Sequence, residues 1–121
     1  MPRPLLAVAL AVATLAAPLS AAALFARDHT SSFYEHREQV RRCGGSATGD
    51  VDLRMVIGRD GRLGASSVLR ADSPALEGAG RCVLERAREW SFQRSTSGRH
   101  VDYRVTYTDG DFRVAEIRPS R

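Results

Sequence analysis

The stretch from Leu5 to Ala26 is almost wholly apolar. It is broken only by Thr14, Pro18 and Ser20, and Arg3 stands just before it. A short positive segment, an alanine- and leucine-rich run and small residues at its end are the parts of a secretory signal. Cleavage would follow Ala22, Ala23 or Ala26. The run is also long enough for an uncleaved membrane anchor, although Pro18 and its small neighbours favour cleavage. It holds no cysteine, so no lipid is attached there. Both readings place residues 27–121 outside the cytoplasm. Two limits on the fold follow. Disulfides are permitted, and what remains is one small domain, of a size at which folding buries roughly 60–70% of the chain's surface. A crosslink matters to so thin a core.

Composition does not point to nucleic acid. The 121 residues are 43% hydrophobic and 26% charged, which is ordinary for a globular chain. The net charge of +4 comes entirely from arginine, with no lysine and no asparagine. Arginine in place of lysine, with much alanine and glycine, marks a GC-rich genome rather than a phosphate-binding surface. Export also removes the chain from cytosolic nucleic acid.

Periodicity predicts the elements. Phe33, His36, Val40 and Cys43 recur at helical spacing, and Ser32 with Glu35 fits a capping box, so a helix is expected over Ser32–Cys43, stopped by Gly44-Gly45. Val51, Leu53, Met55 and Ile57 alternate with polar neighbours as a half-buried strand does. Gly58-Arg59-Asp60-Gly61 turns the chain into a second strand, Arg62–Arg70, where Leu63, Ala65, Ser67 and Leu69 carry a weaker alternation. Ser73-Pro74 opens a second helix with the apolar stripe Leu76, Ala79, Val83, Ala87 and Trp90. Gln93–Arg99 reads as loop. Val101, Tyr103, Val105 and Tyr107 make a third strand, and Phe112–Ile117 follows a Thr108–Asp111 turn as a short fourth, ended by Pro119. The expected fold is α+β: a small three-stranded antiparallel sheet, four-stranded if the last segment pairs, with two helices on one face in the order α-β-β-α-β-(β).

Cys43 ends the first helix and Cys82 lies inside the second, 39 positions apart. In a small exported domain such a pair is expected to bridge. Two separate buried thiols, or a redox pair without a Cys-x-x-Cys motif, are the alternatives.

Several longer strings carry a resemblance. Val40-Arg41-Arg42-Cys43, Gly49–Leu63 with its Gly-x-Asp-Gly, and Arg81–Phe92 with Cys82 and Trp90-x-Phe92 together resemble the TonB C-terminal domain superfamily, within it the myxobacterial AgmX/PglI C-terminal group. The resemblance runs from about Tyr34 to Tyr107. It implies the fold already read and a periplasmic, non-enzymatic protein-interaction module. The module would take a partner peptide as an added strand on a sheet edge, where unpaired amides and carbonyls await a second backbone. The third strand (Val101, Tyr103, Val105, Tyr107) would be that surface, provided Phe112–Ile117 leaves it uncovered. The partner would be an envelope protein or peptide, or a second copy of the chain through the sheet edge. Membrane contact would arise only with an uncleaved N-terminus. Energy transduction is not implied, since the apolar run has no histidine and only a short stretch separates Ala26 from the first helix.

The residues offer no familiar catalytic or metal site. His29, His36 and His100 lack ligand spacing, and Asp50/Asp52 and Asp109/Asp111 make no calcium loop. There is no Gly-x-Ser-x-Gly and no phosphate loop. No cofactor or metal is expected. Trp90 and Phe92 are expected as core anchors, with a binding surface the alternative. Arg41, Arg42, Arg81, Arg86 and Arg88, interleaved with glutamates, read as a solvated face before a site for acidic polymers. The competing functional reading is a disulfide-stapled structural or inhibitory envelope protein using a helix face or loop. A ligand-binding or hydrolytic protein is a third.

Overall fold

The computed structural model describes residues 30–92 and 100–117. The expected signal or anchor, the whole Gln93–Arg99 loop and Pro119 lie outside them. The elements run α1 (Ser31–Glu35), α2 (Arg37–Gly44), β1 (Gly49–Ile57), β2 (Leu63–Ala71), α3 (Pro74–Ala87), β3 (His100–Thr108) and β4 (Asp111–Ile117). The strands form one antiparallel sheet in the order β2-β1-β3-β4. The fold is therefore α+β with four strands, the last segment pairing along β3.

Alternation along β1 and β3 sorts the two faces of the sheet. Val51, Leu53, Met55 and Ile57 of β1, with Val101, Tyr103, Val105 and Tyr107 of β3, are buried on one face, joined by Phe112 of β4. The helices supply Phe33, Val40, Leu76, Ala79, Val83 and Ala87 to the same core. α3 packs against β1, β2 and α2. It starts as its sequence demands: Ser73 Oγ accepts from the Leu76 amide at 3.2 Å, and Pro74 occupies the first turn.

The expected single first helix is broken. His36, at φ −112° and ψ 37°, separates α1 from α2. Its ring makes a 2.9 Å hydrogen bond through Nδ1 with the Ser32 carbonyl and stacks on Trp90 at 4.7 Å. The capping box does not form either. Ser32 lies inside α1, buried, and its hydroxyl donates instead to the Ser91 carbonyl at 3.0 Å. Tertiary partners outcompete the local cap at this position.

β2 departs from the expected alternation. Leu63 faces the core, but Ser66, Val68 and Ala71 then turn inward, leaving Ala65 and Ser67 outside and Leu69 44% exposed. Register shifts between Met55/Ile57 and between Asp52/Leu53 each give β2 one residue more than β1. An extra residue reverses which side chains point inward.

Candidate interaction surface

Cys43 and Cys82 are bonded, with sulfurs 2.07 Å apart and Cα atoms 5.5 Å apart. The bridge ties the end of α2 to the middle of α3. Trp90 and Phe92 are both buried. Trp90 is a hub: Phe33 meets it edge-on at 5.5 Å, His36 covers one face, and its Nε1 donates to Gln39 Oε1 at 2.9 Å. The Phe92 amide donates to the Gly61 carbonyl at 2.7 Å. This bond holds the β1–β2 turn, where Gly61 adopts φ +79°.

The third strand is not an edge. Val101, Tyr103, Val105 and Tyr107 can serve as a backbone contact surface only if Phe112–Ile117 leaves them open, and it does not. β4 pairs with β3 from Asp102↔Ile117 to Thr108↔Asp111, while β1 occupies the other side. The physical cause is the Thr108–Asp111 turn, whose two central residues, Asp109 (φ 51°) and Gly110 (φ 79°), have the positive angles of a tight type I′ hairpin. The four side chains are buried as well, and Tyr107 donates from its hydroxyl to the Val40 carbonyl at 2.7 Å. Burial pushes the Tyr107 phenol above its ordinary range.

The sheet's true edges are β4 and β2, and they are finished differently. On β4 the Val114 amide donates to Tyr34 Oη at 3.0 Å, and the Phe112 amide donates to its neighbour Asp111 Oδ1 at 2.8 Å. Tyr34 also stacks on Phe112 at 5.3 Å. Side chains thus take two of this edge's outward donors.

The orientation of β2 follows by alternation across the sheet. The Val114 amide points out, so its partner Val105 turns its backbone groups toward β1, and Val51 answers it. Asp52 and Arg54 then bond toward β2, where their partners are Arg70 and Ser67. The Asp72 amide, donating to the Asp50 carbonyl at 3.0 Å, agrees with this parity. Ser66 and Val68 therefore turn their amides and carbonyls away from the sheet, and no described strand pairs with them. They border a groove of about 490 Å³ between β2 and α3, walled on the helix side by Glu77, Arg81, Leu84 and Arg88. No signal in the sequence singles out Ser66–Val68; only the topology makes them an edge.

The sheet face away from the helices is charged and largely self-neutralised. Arg104 grips Asp52 at 2.8 and 3.0 Å, and Arg54 grips Asp102 at 2.8 and 2.9 Å, both in paired geometry across β1 and β3. Asp50 accepts from Thr106 Oγ1 at 2.8 Å, and Arg70 pairs with Asp72. Hydrogen bonds from Arg54 hold the Asp102 carboxyl below its ordinary range. The Asp50 amide, then Arg70, do the same for Asp72.

The other residues singled out in the sequence are scattered. Arg41 pairs with Glu38 and also donates to the Gly110 carbonyl at 3.2 Å, across the β3–β4 turn. Arg81 sits 3.5 Å from Glu77 on the exposed side of α3. Among the described residues no group of three or more histidine, cysteine, aspartate or glutamate side chains is placed to hold a metal, and no helix is long and apolar enough to cross a membrane. Comparison of the chain with protein-family models, with curated proteins and with solved structures gives no match.

Proposed function

We propose that this protein is an exported, non-enzymatic protein-interaction module that takes another polypeptide as an added strand, with β2 rather than the third strand as the accepting edge. The α+β class and the four-stranded antiparallel sheet support the reading, and its TonB-like character rests on the sequence resemblance alone. The observation that carries the reading is the contrast between the two sheet edges. Tyr34 and Asp111 occupy outward amides of β4, whereas Ser66 and Val68 of β2 open onto a groove beside α3. A guest backbone laid there gains main-chain hydrogen bonds, and alternate side chains enter the groove.

The test is crosslinking and pulldown of the exported form from its native envelope. Ser66→Pro removes an outward donor that has no ladder partner in β1, and proline is tolerated at such a position. Arg86→Ala, on the exposed surface of α3, is the control. Capture is expected to fall with Ser66→Pro and to persist with Arg86→Ala. Equal capture by both, in protein with intact far-UV circular dichroism, overturns strand addition at β2 and favours a structural or inhibitory protein that works through a helix face or loop.

A further inference from the structure

We infer that the partner strand at β2 is β2 of a second copy of this chain, related by a two-fold axis passing beside Ser67. This inference rests on the reading of β2 as the accepting edge and names what it accepts. Three independent features of the surface fit a two-fold axis at one place.

The first is the strand. About an axis at Ser67, antiparallel pairing brings Ser66 opposite Val68 of the other copy and Val68 opposite its Ser66. These are the residues whose backbone groups turn outward, so each donates one hydrogen bond and accepts one. The bulge at Leu69 of each copy ends the pairing beyond Ser66 and Val68, by symmetry at both ends. A short, centred contact results rather than an open-ended ribbon.

The second is the helix position. A methyl group built on Gly80 would lie 2.8 Å from Val51 Cγ2, 3.1 Å from Leu53 Cδ2 and 3.1 Å from Val68 Cγ2. Gly80 therefore sits over the seam between β1 and β2. Strands lie about 4.8 Å apart, so the seam is about one strand spacing from an axis running outside β2. Two copies of α3 would then stand about 10 Å apart, the separation at which helices pack.

The third is charge. The helix wall of the groove carries Glu77, Arg81, Glu85 and Arg88. The signs alternate along one stripe, so the stripe complements itself when read backwards. α3 returns antiparallel to β2 after the short link at Asp72 and Ser73. With Gly80 level with Val68, one strand residue of ~3.3 Å matches a little over two helix residues of ~1.5 Å. Ser67 is then level with a point just past Arg81 and Cys82. Antiparallel helices centred there set Glu77 against Arg88 of the second copy and Arg81 against its Glu85, with Leu84 beside the axis. An isologous interface requires this self-complementarity.

The experiment is light-scattering mass across a dilution series, on protein exported from its full-length gene with the disulfide intact. The expected result is a mass of two chains that falls to one on dilution. Arg81→Glu alone and Glu85→Arg alone are each expected to weaken association about tenfold or more through like-charge contacts. The combined Arg81→Glu/Glu85→Arg protein is expected to recover it. A single-chain mass at every concentration overturns the inference. So does a dimer indifferent to both reversals, since its interface lies elsewhere. A single-chain protein whose envelope partner is still lost with Ser66→Pro overturns this inference alone and leaves β2 as the accepting edge for a different polypeptide.

Discussion

Gly78 and Gly80 lie two residues apart in α3 and offer a matched pair of substitutions. Neither has a positive φ, so alanine meets no backbone strain at either. In a helix interior, glycine to alanine stabilises by about 1 kcal/mol. A Cβ on Gly78 has nothing within 4 Å, so Gly78→Ala is expected to return that whole gain. A Cβ on Gly80 meets three side-chain carbons at 2.8–3.1 Å, from Val51, Leu53 and Val68. These belong to two adjacent strands beneath a helix that the disulfide pins, so none can give way without moving its neighbours. Overpacking of this kind costs about 1–3 kcal/mol. Gly80→Ala should therefore be neutral or destabilising by up to about 2 kcal/mol. The helix-propensity contribution cancels between the two variants, and their difference reports the packing cost alone. Urea denaturation of the oxidised protein at fixed concentration measures that difference. Fixing the concentration matters because association would otherwise shift the midpoint. A thermal melt should separate the variants by about 4–8 °C per kcal/mol. If Gly80→Ala stabilises as much as Gly78→Ala, the close helix–sheet approach that places α3 over the β1–β2 seam is wrong.

Two further outcomes are expected. The Cys43–Cys82 bridge closes a loop of 39 positions; on the chain-entropy estimate, its reduction costs about 4 kcal/mol. Intact mass should differ by two hydrogens with and without reductant, and two alkylatable thiols in the unreduced protein would contradict the bond. As for pH, Asp102 and Asp72 have folded-state values lowered from about 3.8. Their contribution is present above the unfolded value and is lost as pH falls below it. Stability should drop below about pH 4, and Asp102→Asn should flatten that acid limb. An unchanged acid limb in the variant would remove the Arg54–Asp102 pair as a source of stability.

Much of the fold was legible because local signals and burial agreed. In β1 and β3 every second residue is large and apolar, and each of those is buried. Ser73 and Pro74 start α3 where their chemistry puts a helix start. Legibility failed where a tertiary partner or a backbone irregularity decided the outcome. Nothing local to His36 says that it will stack on Trp90 and break the helix. The alternation of Leu63, Ala65, Ser67 and Leu69 is genuine in the sequence, yet one extra residue after Leu63 turns Ala65 and Ser67 outward, and Leu69 is itself a second extra residue. The identity of the open edge is hidden in the sequence for a related reason. Whether a strand is an edge is a property of the whole sheet, and β3 alone carries no sign of the hairpin that covers it.

The two arginine–aspartate grips across β1 and β3 are set in opposite senses. On one rung the acid, Asp52, belongs to β1; on the next same-face rung it belongs to β3, as Asp102. Sliding β3 by two residues keeps every apolar side chain pointing inward, so the core alone would tolerate the slip. The charges would not. One direction brings Asp52 opposite Asp102, and the other brings Arg54 opposite Arg104. The solvent side of the sheet thereby rejects the misalignments to which its buried side is blind, and a chain with so small an interior has that check on its alignment from the moment the two strands meet.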